Sequence, residues 1–228
     1  MNAEWLAVSI SEMDLNPVNV AIVDYGLGNL FSVKHACDYV GLRSIVTSNR
    51  AEILKADGII LPGVGAFGDA MESLRRLGLI SVLKDSATAN KPLMGICLGL
   101  QLLMEESSEF GLNRGLSILK GNVIHFESPR ENNHLLKVPQ IGWNRIVSKK
   151  SWVGTPLEGI SEGEFMYFVH SFVVCPLDSD VVLSESHYGN VKFCSSVRRG
   201  NLFACQFHPE RSGLPGLQIY KNFKKILK

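Results

Sequence analysis

Three residues in this chain stand in the order a covalent hydrolase needs: a cysteine, a histidine and a glutamate. Cys97 sits at the centre of Met94-Gly95-Ile96-Cys97-Leu98-Gly99. An apolar run over 93–96 leads in, and a helix-forming stretch over 98–105 leads out. Gly-x-Cys-x-Gly between a strand and a helix is the cysteine form of the nucleophile elbow, a turn so tight that glycine is needed two residues before and two after the nucleophile. A helix N-terminus beneath the turn favours a thiolate over a thiol. About 110 residues later comes Gln206-Phe207-His208-Pro209-Glu210. This segment offers an imidazole base and, two positions on, a carboxylate to orient it. Cys97, His208 and Glu210 together make a nucleophile, base and orienter set.

Those residues need a scaffold that brings them to one edge. Residues 18–23 are an apolar, β-branched run and predict a buried strand. It stops at the Gly-rich turn Asp24-Tyr25-Gly26-Leu27-Gly28-Asn29. Helical spacing follows over 30–40, with Gly41 as the stop. Short strands are expected over 44–47 and 58–61, the second ending in Pro62-Gly63-Val64-Gly65, and helices over 69–77 and 79–89. With the 93–96 strand and the helix after Cys97, the order is β-α-β-α. That order implies an open, mostly parallel sheet with helices on both faces. Functional residues then belong at the carboxyl ends of the strands, where all three Gly-rich turns fall. From about 116 to 207 the chain reads as short alternating strands with turns such as Glu131-Asn132-Asn133, which predicts added antiparallel strands. A last amphipathic helix is expected over 217–227. Residues 1–17, which end at Pro17, read as an N-terminal extension, and 18–228 as one domain.

Composition narrows the function classes. The chain has 228 residues, 46% of them hydrophobic, and a formal net charge of +1, so it carries no electrostatic footprint for nucleic acid or an anionic membrane. No apolar run reaches the ~20 residues of a membrane span. The five cysteines, Cys37, Cys97, Cys175, Cys194 and Cys205, lack paired spacing and read as free thiols of a reducing cytoplasm. The six histidines do not cluster as ligands, and neither a metal nor a cofactor is expected. Gly26-Leu27-Gly28 is too short a match for a dinucleotide site, because the third glycine is missing.

Taken together, these segments resemble the class I, triad-type glutamine amidotransferases, a flavodoxin-like α/β fold. Within them the resemblance is to the glutaminase subunits of imidazole glycerol phosphate synthase in histidine biosynthesis. It extends from residue 18 to the C-terminus and rests on Asp24 to Leu30, Leu61-Pro62-Gly63-Val64-Gly65-Ala66-Phe67, Met94 to Leu103, Gly142-Trp143-Asn144, Tyr167-Phe168-Val169-His170-Ser171-Phe172 and Gln206 to Gly213. The resemblance implies hydrolysis of L-glutamine to glutamate and ammonia. It also implies a cyclase partner of (β/α)-barrel fold, to which the ammonia is channelled in a heterodimer. The family's usual Pro-His-Met is here Pro139-Gln140-Ile141, and Cys194 stands where a small residue is more usual. Both departures resemble a branch that supplies ammonia to a sugar amidotransferase in surface-polysaccharide synthesis, which stands as the alternative.

The resemblance also assigns roles. The elbow N–H of Leu98 is one oxyanion donor, and the Gly63-Val64-Gly65 loop implies a second, from Val64. A peptide flanked by glycines flips at little steric cost, so this loop is expected to be mis-set without a liganded partner. Gln101, one helical turn beyond Cys97, faces the same side and binds the amino-acid end of glutamine. Gly65, Tyr167, His170, Ser171 and Phe172 line the same pocket. Asn29, Trp143 and Arg211 belong to the partner interface.

Overall fold

The computed structural model describes residues 19–127 and 129–227. The extension read over 1–17 lies outside them. The first half runs β1 (Asn19–Val23), α1 (Leu30–Tyr39), β2 (Arg43–Thr47), α2 (Arg50–Lys55), β3 (Gly58–Leu61), α3 (Phe67–Arg76), α4 (Leu79–Thr88), β4 (Leu93–Ile96) and α5 (Leu98–Leu102). The second half is richer in short strands: β5 (Glu106–Ser107), β6 (Asn113–Arg114), β7 (Gly121–His125), β8 (Arg130–Glu131), β9 (His134–Leu135), β10 (Gln140–Arg145), β11 (Val147–Ser148), β12 (Phe165–His170), β13 (Phe172–Pro176), β14 (Val182–Tyr188), β15 (Val191–Arg199) and β16 (Leu202–Cys205), closed by α6 (Gly213–Ile226).

The main sheet has the order β11-β14-β15-β16-β4-β3-β1-β2. Its five strands from β16 to β2 are parallel, and β15, β14 and β11 extend it antiparallel. The expected open α/β sheet with added antiparallel strands is therefore present. Because strand side chains alternate between faces, two cores form. Ala21, Val23, Ile59 and Leu61 point to one face, under Ile53 of α2, Phe67 of α3 and Leu83 of α4. Val20, Ile22, Ile60 and Ile96 point to the other, under Val33 and Cys37 of α1 and Ile219, Tyr220 and Phe223 of α6. Beside the main sheet lie a four-stranded sheet, β13-β7-β5-β6, and the antiparallel pair β10–β12, whose register sets Trp143 opposite Tyr167 and Gln140 opposite His170.

Three elements differ from expectation. Helix α2 was not anticipated. It has six residues and buries only Ile53, but Asn49 caps it by accepting from the N–H groups of Ala51 and Glu52. The helix after Cys97 ends at Leu102 instead of 105, because the chain turns to place Glu106 in β5. Helix α6 begins at Gly213, four residues early, since Pro215 falls in its first turn, where proline costs no hydrogen bond.

Candidate active site

Strand β4 delivers Cys97 at its carboxyl end, and β16, its parallel neighbour, delivers His208 just beyond its own. The elbow is visible in the backbone: Cys97 has φ 54 and ψ −109, a conformation rare for a residue with a side chain. Its N–H donates to the Cys205 carbonyl at 2.8 Å, which locks the turn to β16. Glycine is required below it, because a Cβ on Gly99 would sit 1.8 Å from the Leu61 carbonyl oxygen. The first turn of α5 thus presses directly against β3.

His208 precedes a single 3-10 turn over Pro209–Arg211 that brings Glu210 back beneath the ring. His208 Nδ1 and Glu210 Oε1 are 2.7 Å apart, and both side chains are buried. Since the carboxylate accepts, the proton sits on Nδ1 and Nε2 is left to face the sulfur. Nε2 has no well-aligned hydrogen-bond partner in the protein, so its coupling to Cys97 is chiefly electrostatic. Burial alone would depress the imidazole. The pull of Cys97, with contributions from the Glu210 contact, outweighs that penalty and pushes His208 up to about 10. The arrangement therefore favours a charged imidazolium beside Cys97.

A cavity of about 250 Å³ opens over Cys97. It is lined by Val64, Gly65, Leu98 and Gln101 together with Val169, His170, Ser171 and Phe172. Most of the residues assigned to substrate and oxyanion thus meet at one place. Gly63 lies just behind them, where a Cβ would come within 2.3 Å of Tyr25 Oη and 2.9 Å of Leu98 Cβ. Tyr167 does not line the cavity. Its ring turns outward, edge-on to Trp143 at 5.9 Å, with the Arg211 guanidinium 4.6 Å above it. These three residues form an exposed face next to the catalytic loop, extended by Ile141 and by Arg145 stacked on Phe165. Asn29 stands at the start of α1 and caps it through Ser32 N–H. Gln140, the departure from the family pattern, is buried, whereas Ile141 is 63% exposed.

His170 is held differently from His208. Its Nδ1 lies 2.9 Å from the Phe172 carbonyl, which can only accept, so Nδ1 carries a proton. Burial, despite that bond, and the neighbouring His208 push its pKa down to about 4. It cannot serve as a base poised near neutrality. Burial also pushes the thiols of Cys37, Cys175, Cys194 and Cys205 up, which leaves them unreactive and free. Among the described residues no group of three or more His, Cys, Asp or Glu is placed to hold a metal ion.

Sequence reasoning missed two contributors. Glu109 joins the cavity wall and accepts the Phe67 N–H at 2.6 Å, placing a carboxylate in the cavity that Cys97 also lines. It sits in an irregular segment without a motif. Ser212 accepts the Tyr167 N–H at 3.0 Å and donates to the His208 carbonyl at 2.7 Å, tying the catalytic loop to β12. Its position directly after the triad was the one available signal.

Comparison with known proteins identifies the family and the fold. The glutamine amidotransferase class-I family profile matches residues 21–226. The imidazole glycerol phosphate synthase subunit HisH of Aquifex aeolicus is 47% identical, covering 91% of this chain and 97% of that protein. The HisH subunit of Chlorobium luteolum is 43% identical, covering 90% and 98%. Among solved structures, one described as PurLQS from Thermotoga maritima superposes with a TM-score of 0.71 over 93% of this chain and all of that one, at 20% identity, and so speaks for the fold. The chain belongs to the class I glutamine amidotransferases and, among them, to the imidazole glycerol phosphate synthase HisH subunits.

Proposed function

We propose that this chain hydrolyses L-glutamine to glutamate and ammonia and passes the ammonia to a cyclase subunit of (β/α)-barrel fold, completing an imidazole glycerol phosphate synthase. One observation carries the reading: Cys97, on a strained elbow at the floor of a cavity of amino-acid size, faces an imidazole that Glu210 orients from behind. The Cys97 sulfur attacks the side-chain carbonyl carbon, and the carbonyl electrons move to oxygen. The N–H groups of Leu98 and Val64 receive that oxyanion, each donor being worth roughly 3 kcal/mol in the barrier. As the tetrahedral centre collapses, the C–N bond breaks and His208 gives its proton to the departing nitrogen, leaving a thioester and ammonia. His208 then takes a proton from water, whose oxygen attacks the thioester. The C–S bond breaks, and glutamate leaves with the sulfur restored as a thiolate.

Gln101 and Glu109 present polar groups to the amino-acid end of the substrate, and the Glu109 carboxylate suits an α-ammonium. Water would protonate free ammonia, so a docked acceptor subunit is needed above the cavity. Trp143 and Arg211, two of the three residues expected at the partner interface, form with Ile141 and Tyr167 a face beside the catalytic loop that suits the docking of that partner. The relatives named above are imidazole glycerol phosphate synthase subunits, which supports that partner over the sugar amidotransferase alternative. The reading is tested by following glutamate production from glutamine, with the cyclase subunit and its nucleotide acceptor present. Cys97→Ala should lower turnover by about four orders of magnitude while leaving the fold intact. Ammonia release from the alanine variant at the native rate would end the mechanism.

A further inference from the structure

The elbow's helix, α5, has five residues, little more than one turn, so a helix N-terminus is a weak source of stabilisation for a sulfur anion. Another donor is present. Gln206, fully buried and two residues before the base, places its side-chain nitrogen 3.6 Å from Cys97 Sγ. Amide oxygen and nitrogen can be exchanged in a structure, so their assignment must come from the surrounding network. Here the network decides it. The Phe172 carbonyl can only accept, so the Gln101 atom 3.2 Å from it is Nε2. That same Nε2 lies 3.2 Å from the near atom of Gln206, which must then be the acceptor Oε1. The far atom of Gln206 is consequently Nε2, and it donates to the sulfur. His170 Nδ1–H shares the Phe172 carbonyl, which pins the start of the chain.

We propose that Gln206 is a further catalytic residue, an N–H donor to the nucleophilic sulfur, and that Gln101 and the Phe172 carbonyl act as positioning groups that aim it. The proposal rests on the glutaminase reading for its catalytic meaning, though the contact itself does not. Two consequences follow from the geometry. The donor steadies the sulfur anion before attack and again when the thioester breaks, so it belongs to kcat more than to substrate binding. Gln101, with both N–H groups engaged inside the protein, has only Oε1 to offer the cavity. A substrate ammonium that draws on that oxygen pulls on the same network, which links occupation of the amino-acid end to the state of the nucleophile.

The test measures alkylation of Cys97 by iodoacetamide in the full chain, read by mass spectrometry of the Cys97 peptide, alongside steady-state glutaminase kinetics. Gln206→Glu keeps the shape and the acceptor toward Gln101 but turns the donor into an acceptor. Gln206→Met removes both. Each should alkylate about tenfold more slowly near neutral pH, and the Met variant should recover at alkaline pH as thiolate forms without help. The loss in kcat should exceed any change in KM. Gln101→Met should slow alkylation by a smaller factor, and adding it to Gln206→Met should cost nothing further, because the two act through one contact. Native alkylation rates in folded Gln206 variants would overturn the proposal, and additive losses would remove Gln101 from it. If the native chain shows no glutaminase activity, the proposed function fails, while the alkylation series still decides the role of Gln206.

Discussion

Two loops at the carboxyl ends of adjacent strands meet at the cavity, and they are built in opposite ways. The elbow after β4 is clamped. Cys97 and Leu98 are buried, the Cys97 N–H is bonded to β16, and α5 presses Gly99 onto the Leu61 carbonyl. The Gly63-Val64-Gly65 loop after β3 is held at one end only. Gly63 is wedged under Tyr25 Oη, but Val64 is 40% exposed, and Gly65 has φ +104 with no atom closer than 3.7 Å to a would-be Cβ. Tight packing fixes the nucleophile, whereas the expected oxyanion donor is left adjustable. Such a division fits the proposal that glutamine is hydrolysed only when an acceptor waits.

The sharpest way to break the comparison is to substitute the clamped side. In Gly99→Ala the new methyl meets a backbone oxygen that cannot rotate away, so the strand–helix contact must open. Overpacking of this kind should cost at least about 3 kcal/mol, which for a chain of this size lowers the melting temperature by about 10 °C. Thermal unfolding of the variant checks it. A native melting temperature would show that the elbow is not held from β3.

The adjustable side should respond in activity more than in stability. Gly65→Ala meets only an ordinary contact with Leu27 at 3.7 Å, so its main cost is the backbone: a positive φ is strained for alanine by about 1–3 kcal/mol. The loop can escape that strain by rotating, which removes a donor worth roughly a hundredfold in kcat. Partner-stimulated glutaminase turnover should therefore fall by about that factor, with the melting temperature down by only a few degrees. Equal effects on both measures would erase the distinction between the loops.

The contrast also explains what could be read from sequence. Strands β3 and β4 fell where expected, because both are buried on both faces and bounded by Gly and Pro. Cys97, His208 and Glu210 stood out because a covalent mechanism would restrict residue types and the elbow restricts spacing. Helix α2 was not, since one buried Ile53 cannot set a period and its stability comes from the Asn49 cap and the Thr47–Glu52 contact. Glu109 and Ser212 were missed because their positions depend on where a loop crosses the sheet edge, a tertiary fact. Tyr167 was placed in the pocket because its strand leads into the wall, yet the wall begins only at Val169, and the Tyr167 ring packs edge-on against Trp143 instead.

The smallest expected effect separates His170, in the cavity wall, from His208, beside Cys97, and it appears in titration. His208 is held above its ordinary value and His170 below it. For His208 the folded pKa is raised, so its contribution to stability is complete below pH 6.5 and is lost as pH climbs toward about 10. For His170 the folded pKa is depressed, so its contribution is complete above pH 6.5 and is lost as pH falls toward about 4. Ring-proton NMR of the unliganded chain should thus show one histidine charged and the other neutral throughout the neutral range. In Cys97→Ala the His208 midpoint should move down, because the largest attraction holding its proton is gone, while that of His170 stays low under burial. If the His208 midpoint stayed high in that variant, Glu210 alone would be holding the proton, and the sulfur and imidazole would have to be treated as uncoupled groups.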